Sequence, residues 1–374
     1  MSRDSLFGEQ VIWSGRPKLV TVPPLFRVAA WVSAVIALTS TMSAVAVATV
    51  LHVSVGEMLL FSAWMATLAV GFWRIPLWWR SELEFAITDQ NIIIRRGRYR
   101  RFIDRRSISF ARIHWHRSHM GVGDLELVRA VPTGAMRRRL TIVLTGLSAP
   151  DRVWAFVRGL TPAAPAGDGH RLLAQRLDEG ERVLWSSHPA STWKRWIPTH
   201  VRGVLSLLLG LCLVASAFFA ASDAIRGLRS VLSAGLAPGS VSFIALVASL
   251  TLSVALLGAA AVGVVYSSLV KPARLARDTR YLITDRRVLI QRGTEELHLE
   301  RERIVDVIDA PGQGGKKDLF LVLDGPKARA FAPSGAFGQQ PDGGLQPVLK
   351  LVEDPDVVQR ILKTPTPPSI GLAA

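Results

Sequence analysis

At 374 residues, with 49% apolar and 20% charged residues and a mean hydropathy of +0.29, the chain is too apolar for disorder and must segregate its polar and apolar stretches. Its one cysteine, Cys212, excludes a disulfide framework. The formal charge of +16 directs attention to where the basic residues gather.

Residues 1–27 carry Arg3, Arg16, Lys18 and Arg27 with Pro23 and Pro24, and read as a polar segment ahead of a retained signal anchor. Four apolar stretches follow along the chain. Crossing a hydrocarbon core of about 30 Å takes about 20 helical residues. Residues 28–51 hold no formal charge, and 58–79 are interrupted by Arg74 alone. The third stretch lies between Arg202 and Asp223, and the fourth runs from near Val241 to Val270 after a loop at Pro238 and Gly239. Together they predict two transmembrane hairpins, at 28–79 and 201–270, the second with a longer Gly/Ser/Ala/Pro-rich outer loop. Lys and Arg flank the hairpins and are absent from 51–57, which predicts cytoplasmic termini and cytoplasmic polar domains. Trp73, Trp78, Trp79, Trp193 and Trp196 suit the water–lipid boundary, while Trp31 and Trp64 suit packing between helices.

Beyond the first hairpin, β-type runs occupy 83–88, 91–96, 108–115, 125–129 and 140–144, closed by a helix from Pro150 to about Leu160. A linker, 161–169, and a short helix, 171–177, fall within a connecting segment 161–200. Beyond the second hairpin the runs are 281–284, 288–292, 296–299, 304–308, 319–323 and 328–331, with a helix from Pro355 to about Leu362 and a tail 364–374. Two polar domains result, 80–160 and 271–363. Strand counts are open around 120–139 and 339–344.

Four blocks recur in one order. Glu9-Gln-Val-Ile-Trp-Ser-Gly-Arg-Pro17 matches Glu181-Arg-Val-Leu-Trp-Ser-Ser-His-Pro189, and the run Phe85-Ala-Ile-Thr-Asp89 to Gly97 matches Tyr281-Leu-Ile-Thr-Asp285 to Gly293. Asp124–Val128 parallels Asp318–Val322, and Pro150–Val153 parallels Pro355–Val358. The chain therefore reads as two copies of one hairpin-plus-domain unit. Thr-Asp in each copy suits a tight turn stabilised by the Asp side chain, and Gly97 and Gly293 suit positions with positive φ.

These motifs resemble the bacterial pleckstrin-homology membrane proteins of the YdbS/YdbT type, over nearly the whole chain and twice. The resemblance implies an α+β membrane protein with four transmembrane helices and two small pleckstrin-homology-like β-barrels, each capped by a C-terminal helix. It also implies a place in the bacterial cytoplasmic (inner) membrane. Assembly of membrane complexes enters by analogy, since the opening block is similar to that of a photosynthetic-complex assembly factor.

Charge separates the two domains. Residues 80–160 hold sixteen Lys and Arg against seven Asp and Glu, and 271–363 hold sixteen against fourteen. Arg95, Arg96, Arg98, Arg100, Arg101, Arg105 and Arg106 concentrate the excess and are the candidate residues for binding an anionic lipid surface or a partner. Ordinary positive-inside enrichment explains them equally well. No aromatic-interleaved motif accompanies them, so nucleic acid is not expected. His114, His116 and His119 lack the ligand set of a zinc site and read as surface or interface histidines. The Gly121–Gly123 and Gly312–Gly315 runs read as turns, since neither has the P-loop's following Lys-Ser/Thr.

No catalytic constellation is present, and no cofactor or metal is expected. The expected function is a non-enzymatic platform for membrane lipids and membrane proteins, self-association included, with lipid contact in the first copy and protein contact in the second. A transport or channel component is the alternative, with Ser33, Thr39, Ser40, Thr41 and Ser43 as its polar stripe. Gly258 with Val262, and Ala259 with Gly263, predict close helix packing instead.

Overall fold

The structure, a computed structural model, describes residues 9–51, 54–129, 140–160, 173, 177–178, 180–189, 201–233, 239–311, 316–323 and 345–364. The expected linker, most of the 171–177 helix, the 328–331 strand, the 312–315 glycines, Trp193 and Trp196 lie outside the described residues. In chain order the elements are β1 (Val11–Gly15), α1 (Pro24–Leu51), α2 (Gly56–Ser81), β2 (Glu84–Thr88), β3 (Asn91–Arg96), β4 (Tyr99–Asp104), β5 (Phe110–Trp115), β6 (Val122–Arg129), β7 (Leu140–Ser148) and α3 (Pro150–Arg158). There follow β8 (Val183–Ser187), α4 (Val201–Ser233), α5 (Val241–Val265), α6 (Lys271–Arg277), β9 (Thr279–Thr284), β10 (Arg287–Arg292), β11 (Glu295–Glu300), β12 (Ile304–Pro311), β13 (Lys317–Leu323), β14 (Val348–Val352) and α7 (Pro355–Lys363). The chain forms two compact units: a helical one, Thr21–Trp79 with Arg195–Arg274, and a β one from Met1–Val20, Arg80–Lys194 and Leu275–Ala374.

In the helical unit, four helices among the described residues are long and apolar enough to cross a membrane: Pro24–Thr49, Gly56–Ser81, Gly203–Ser230 and Leu246–Arg277. The last passes through a π-helical turn at Tyr266–Val270, which joins α5 to α6. α4 corrects the sequence expectation, because it does not stop at Asp223 but runs for 33 residues to Ser233. Its extension carries an Asp223–Arg226 ion pair at i,i+3, which suits a helix leaving the apolar zone.

Small polar side chains join the helices. Ser62 donates to the Ala37 carbonyl at 2.7 Å and shares a hydrogen bond with Thr41, Ser43 meets Ser249 at 3.1 Å, and Ser206 meets Ser268 at 2.7 Å. The close glycine contact is not at Gly258 or Gly263, where an added Cβ would meet nothing within 4 Å. It is at Gly210, where a Cβ would come within 2.9 Å of Val265. Trp31 and Trp64 stand exposed on α1 and α2 at 64% and 62%, so they do not pack between helices.

Among the described residues the β unit holds three antiparallel sheets, of order β1-β2-β3-β4, β7-β6-β5-β11-β10-β9-β8 and β12-β13-β14. None closes on itself among the described residues. The expected pair of separate barrels is replaced by a continuous seven-stranded sheet, in which β5 pairs with β11 across the two halves of the chain. Glu295 stands opposite His114, Glu296 opposite Ile113, Leu297 opposite Arg112 and His298 opposite Ala111.

Opposed residues share a face. Ala111 and Ile113 belong to a core built with Phe85, Ile87, Ile92, Leu125, Leu144 and Val153, whereas Leu297 belongs to one built with Ile283, Val288, Leu319, Leu349 and Val358. The two cores therefore lie against opposite faces of the shared sheet. They also interlock: Phe110 and Val128, from the first half, belong to the second core.

Each core is closed by a short helix with Pro at its first position, where a missing N–H leaves no bond unmade. α3 buries Val153, Trp154 and Val157 and stops at Gly159, whose φ of 81° only glycine adopts readily. α7 buries Val358 and Leu362.

Candidate interaction surface

The opening motif is explained by a side-chain anchor. β1 pairs with β2, and β8 with β9, which brings Glu9 and Glu181 to the turns that follow β2 and β9. Glu9 accepts hydrogen bonds from the Thr88 hydroxyl and from Asn91 Nδ2 at 2.8 Å. Glu181 accepts from the Thr284 hydroxyl at 2.7 Å and from Arg287 as a fork, Nε at 2.9 Å and Nη2 at 2.8 Å. Thr, not Asp, builds the turn: Thr88 and Thr284 accept from the backbone N–H groups of Asn91 and Arg287, at 2.8 and 2.9 Å. Asp285 instead accepts from the Arg182 N–H at 3.0 Å, which ties β8 to the turn.

Around Glu181 the anchor widens into a buried charge network. Its side chain is fully enclosed and that of Arg287 is 4% exposed. Burial works against the Arg287 charge, but the Glu181 hydrogen bonds and the charges of Glu181 and Asp178 outweigh it and hold the guanidinium above its ordinary value. Arg158, at the end of α3, bridges Asp178 at 2.7 Å and Glu300 at 3.2 Å. Burial pushes the Asp178 carboxyl up, yet Arg287 and Arg158 hold it below its ordinary value, whereas burial prevails at Glu300 and raises it. His298 is buried 3.4 Å from Glu296 and 3.5 Å from Arg287, and burial drives its imidazole toward the neutral form. Every member of this network has a partner, so it is a structural brace joining α3, β8, β10 and β11.

Seven arginines were the candidate ligand contacts, and the structure divides them. Arg105 donates to the Val157 carbonyl at the end of α3 and to the Thr88 and Asp89 carbonyls, at 3.4 and 3.3 Å. It supplies donors for carbonyls that a helix C-terminus leaves open. Arg301 holds the same place in the second half, donating to the carbonyls of Ile361 and Thr364. Arg96 pairs with Glu82 at 3.2 Å.

The remaining five, Arg95, Arg98, Arg100, Arg101 and Arg106, are exposed, and among the described residues none of them forms an ion pair. Arg95 stands directly opposite Arg100 across the β3–β4 pair. Like charges so placed destabilise a sheet. Tyr99 and Phe102, 68% and 45% exposed, add aromatic rings to the same hairpin. No family model, curated protein or solved structure matches the chain.

The three histidines do not converge. His114 lies between Glu126 at 3.4 Å and Glu295 at 3.7 Å, on the junction of β5 and β11, while His116 faces Asp124 at 3.2 Å and His119 meets Ser118. Arg112 is buried beside them, 2.6 Å from Glu126. Burial pushes the Glu126 carboxyl up, but the His114 hydrogen bond and Arg112 prevail and hold it low. Among the described residues no group of three His, Cys, Asp or Glu side chains is placed to hold a metal ion. Sequence reasoning missed both the Glu anchors and Arg112. The available signal was an acid two residues ahead of each β1-type strand, recurring with the Ile-Thr-Asp turn.

Proposed function

We propose that the two halves are copies of one pleckstrin-homology-like module, in a multi-pass protein of the bacterial inner membrane with both termini cytoplasmic. The protein acts without catalysis as a platform, and the β3–β4 hairpin of the first half is its contact with anionic lipid headgroups. The carrying observation is the Arg95–Arg100 opposition, a local cost to the sheet that an anionic ligand would turn into a gain.

Glu84, at the start of β2, stands opposite Arg95 on the other side from Arg100. The corresponding tip in the second half pairs Arg292 with Glu295 at 2.8 Å and carries no such excess. The transport alternative gains no support. Of its stripe, Ser40, Thr41 and Ser43 bond to neighbouring helices, Thr39 bonds its own helix, and Ser33 is buried.

Each basic group near an anionic leaflet contributes about 1 kcal/mol. The test places an environment-sensitive fluorophore on Arg98→Cys of the full chain, in a Cys212→Ser background, in nanodiscs of zwitterionic or phosphatidylglycerol-containing lipid. The expected result is a blue-shifted emission in the anionic discs that salt reverses. Arg95→Ser with Arg101→Ser should weaken the preference by about 2 kcal/mol, roughly thirtyfold. Identical emission in both lipids at every salt concentration would end the proposal.

A further inference from the structure

The β3–β4 hairpin reverses in two residues, Gly97 and Arg98, with Arg96 opposite Tyr99 at the base of the turn and Gly97 at a φ of 54°. A turn of this kind is bonded between its end residues, and bonded and non-bonded pairs then alternate along an antiparallel ladder. Arg95 and Arg100, one rung further from the turn, are therefore a non-bonded pair. Such pairs are the closer kind, with Cα atoms about 4.5 Å apart and side chains on one face.

Among the described residues neither guanidinium meets a carboxylate. Arg95 gives its Nε to the Gly97 carbonyl at 3.4 Å, which leaves its two Nη groups over, and Arg100 makes no side-chain hydrogen bond there. Glu84, the acid opposite Arg95 on its other side, already accepts from Arg16, whose Nε lies at 3.1 Å. The same rung of the β10–β11 hairpin, next to Arg292 and Glu295, holds Gln291 opposite Glu296. The doubled cation is thus a property of the first half.

Two adjacent guanidinium groups match a ligand with two charges and enough oxygens for two forks. A phosphodiester headgroup offers a single charge and two free oxygens, which serve one fork. A phosphomonoester carries a charge of about −1.5 to −2 at pH 7 and three strong acceptor oxygens. Each guanidinium is a planar fork that takes phosphate oxygens in pairs, so three oxygens let two forks hold one phosphate and share an oxygen. Two cations so close also favour the doubly charged form of the ester. We infer, resting on the lipid contact proposed for this hairpin, that the Arg95–Arg100 pair selects lipid phosphomonoester headgroups over phosphodiester ones.

The test uses the full chain with the fluorophore at Arg98→Cys, in a Cys212→Ser background. Nanodiscs hold phosphatidic acid, a monoester, or phosphatidylglycerol, a diester, each diluted in zwitterionic lipid and compared at equal total charge. Half of the blue shift should be reached at about fivefold less charge with phosphatidic acid than with phosphatidylglycerol, the effect of about one further charge contact. Arg95→Lys with Arg100→Lys keeps both charges and removes both forks. That variant should lose the difference between the two lipids and keep the preference for either over zwitterionic discs. Glycerol 3-phosphate, added at the phosphate concentration of the discs, should leave the shift in place.

Equal half-points for the two lipids in the parent chain, or a difference that survives both lysines, would overturn the monoester site while the lipid contact stands. Reversal of the shift by glycerol 3-phosphate would give the pair to a free ester and overturn its assignment to a lipid. No shift in either anionic disc would remove the lipid contact and the monoester site together.

Discussion

Replacing Glu181 by Gln removes the charge to which a buried guanidinium makes its shortest bonds. Arg287 keeps Asp178 at 3.5 Å, but its two short bonds go to Glu181. Breaking a buried ion pair from one side costs about 3–5 kcal/mol, and the remaining Asp178 argues for the lower end. The chain carries its own control. Glu9 holds the corresponding place in the first half, half-buried, with the neutral partners Thr88 and Asn91, so Glu9→Gln strands no charge and should cost about 1 kcal/mol. For a folded unit of this size 1 kcal/mol moves Tm by about 2–4 °C, so Glu181→Gln should lower it by roughly 6–12 °C and Glu9→Gln by roughly 2–4 °C. Thermal unfolding of the solubilised full chain, followed by tryptophan emission, measures both. Glu181→Met with Arg287→Leu should regain most of the loss, because no charge is then left alone. Equal shifts from the two Gln variants, or a double variant no better than the single one, would refute the account of the network.

Phe110→Ala should weaken the second core although Phe110 belongs to the first half, at a cost of about 3–5 kcal/mol. Hydrogen exchange should then rise in β9, β10 and β13 more than in β2 and β3. Gly146→Ala should be among the most damaging small substitutions, since an added Cβ would sit 1.8 Å from the Leu19 carbonyl oxygen at a φ of +65°; proteolysis of the segment around Lys18 would report it. His298 gives a pH dependence with a definite sign. Its proton is disfavoured in the fold, so the unfolded chain takes up a proton as pH falls below its ordinary 6.5 and stability drops from there downward. Glu300, raised above its ordinary 4.5, acts in the opposite sense between that value and its folded one. The comparison is therefore with His298→Gln, which should lose fewer degrees of Tm than the parent between about pH 7.5 and about pH 5; parallel slopes would count against it.

Most strands were legible as short apolar runs bounded by turn residues: β3, Asn91–Arg96, is built around Ile92–Ile94, and β9 to β13 around runs of the same kind. β4 was missed for a physical reason. Tyr-Arg-Arg-Phe-Ile-Asp has arginines on both faces, which edge strands tolerate and which erase a period of two. β1 and β8 were seen as motifs and not as strands, since five residues ending in Ser and Gly hold too few alternations to count. The arginines read as one patch because spacing cannot distinguish Arg105, aimed at a helix end 52 residues later, from Arg100 beside it. The junction of β5 with β11 left no local trace, since both strands have ordinary patterns and only the fold decides which edges meet.

That junction has a consequence for synthesis. Ala111 and His298 are separated by about 187 residues, which at about 5–20 residues per second takes roughly 10–40 s to translate. Through that interval β5 has emerged without its neighbour, and the second pair of apolar helices is made before it arrives. Phe110 waits for a core not yet made. The nascent chain thus presents a bare strand edge that carries Arg112 and His114, polar side chains that discourage wrong strands until β11 emerges.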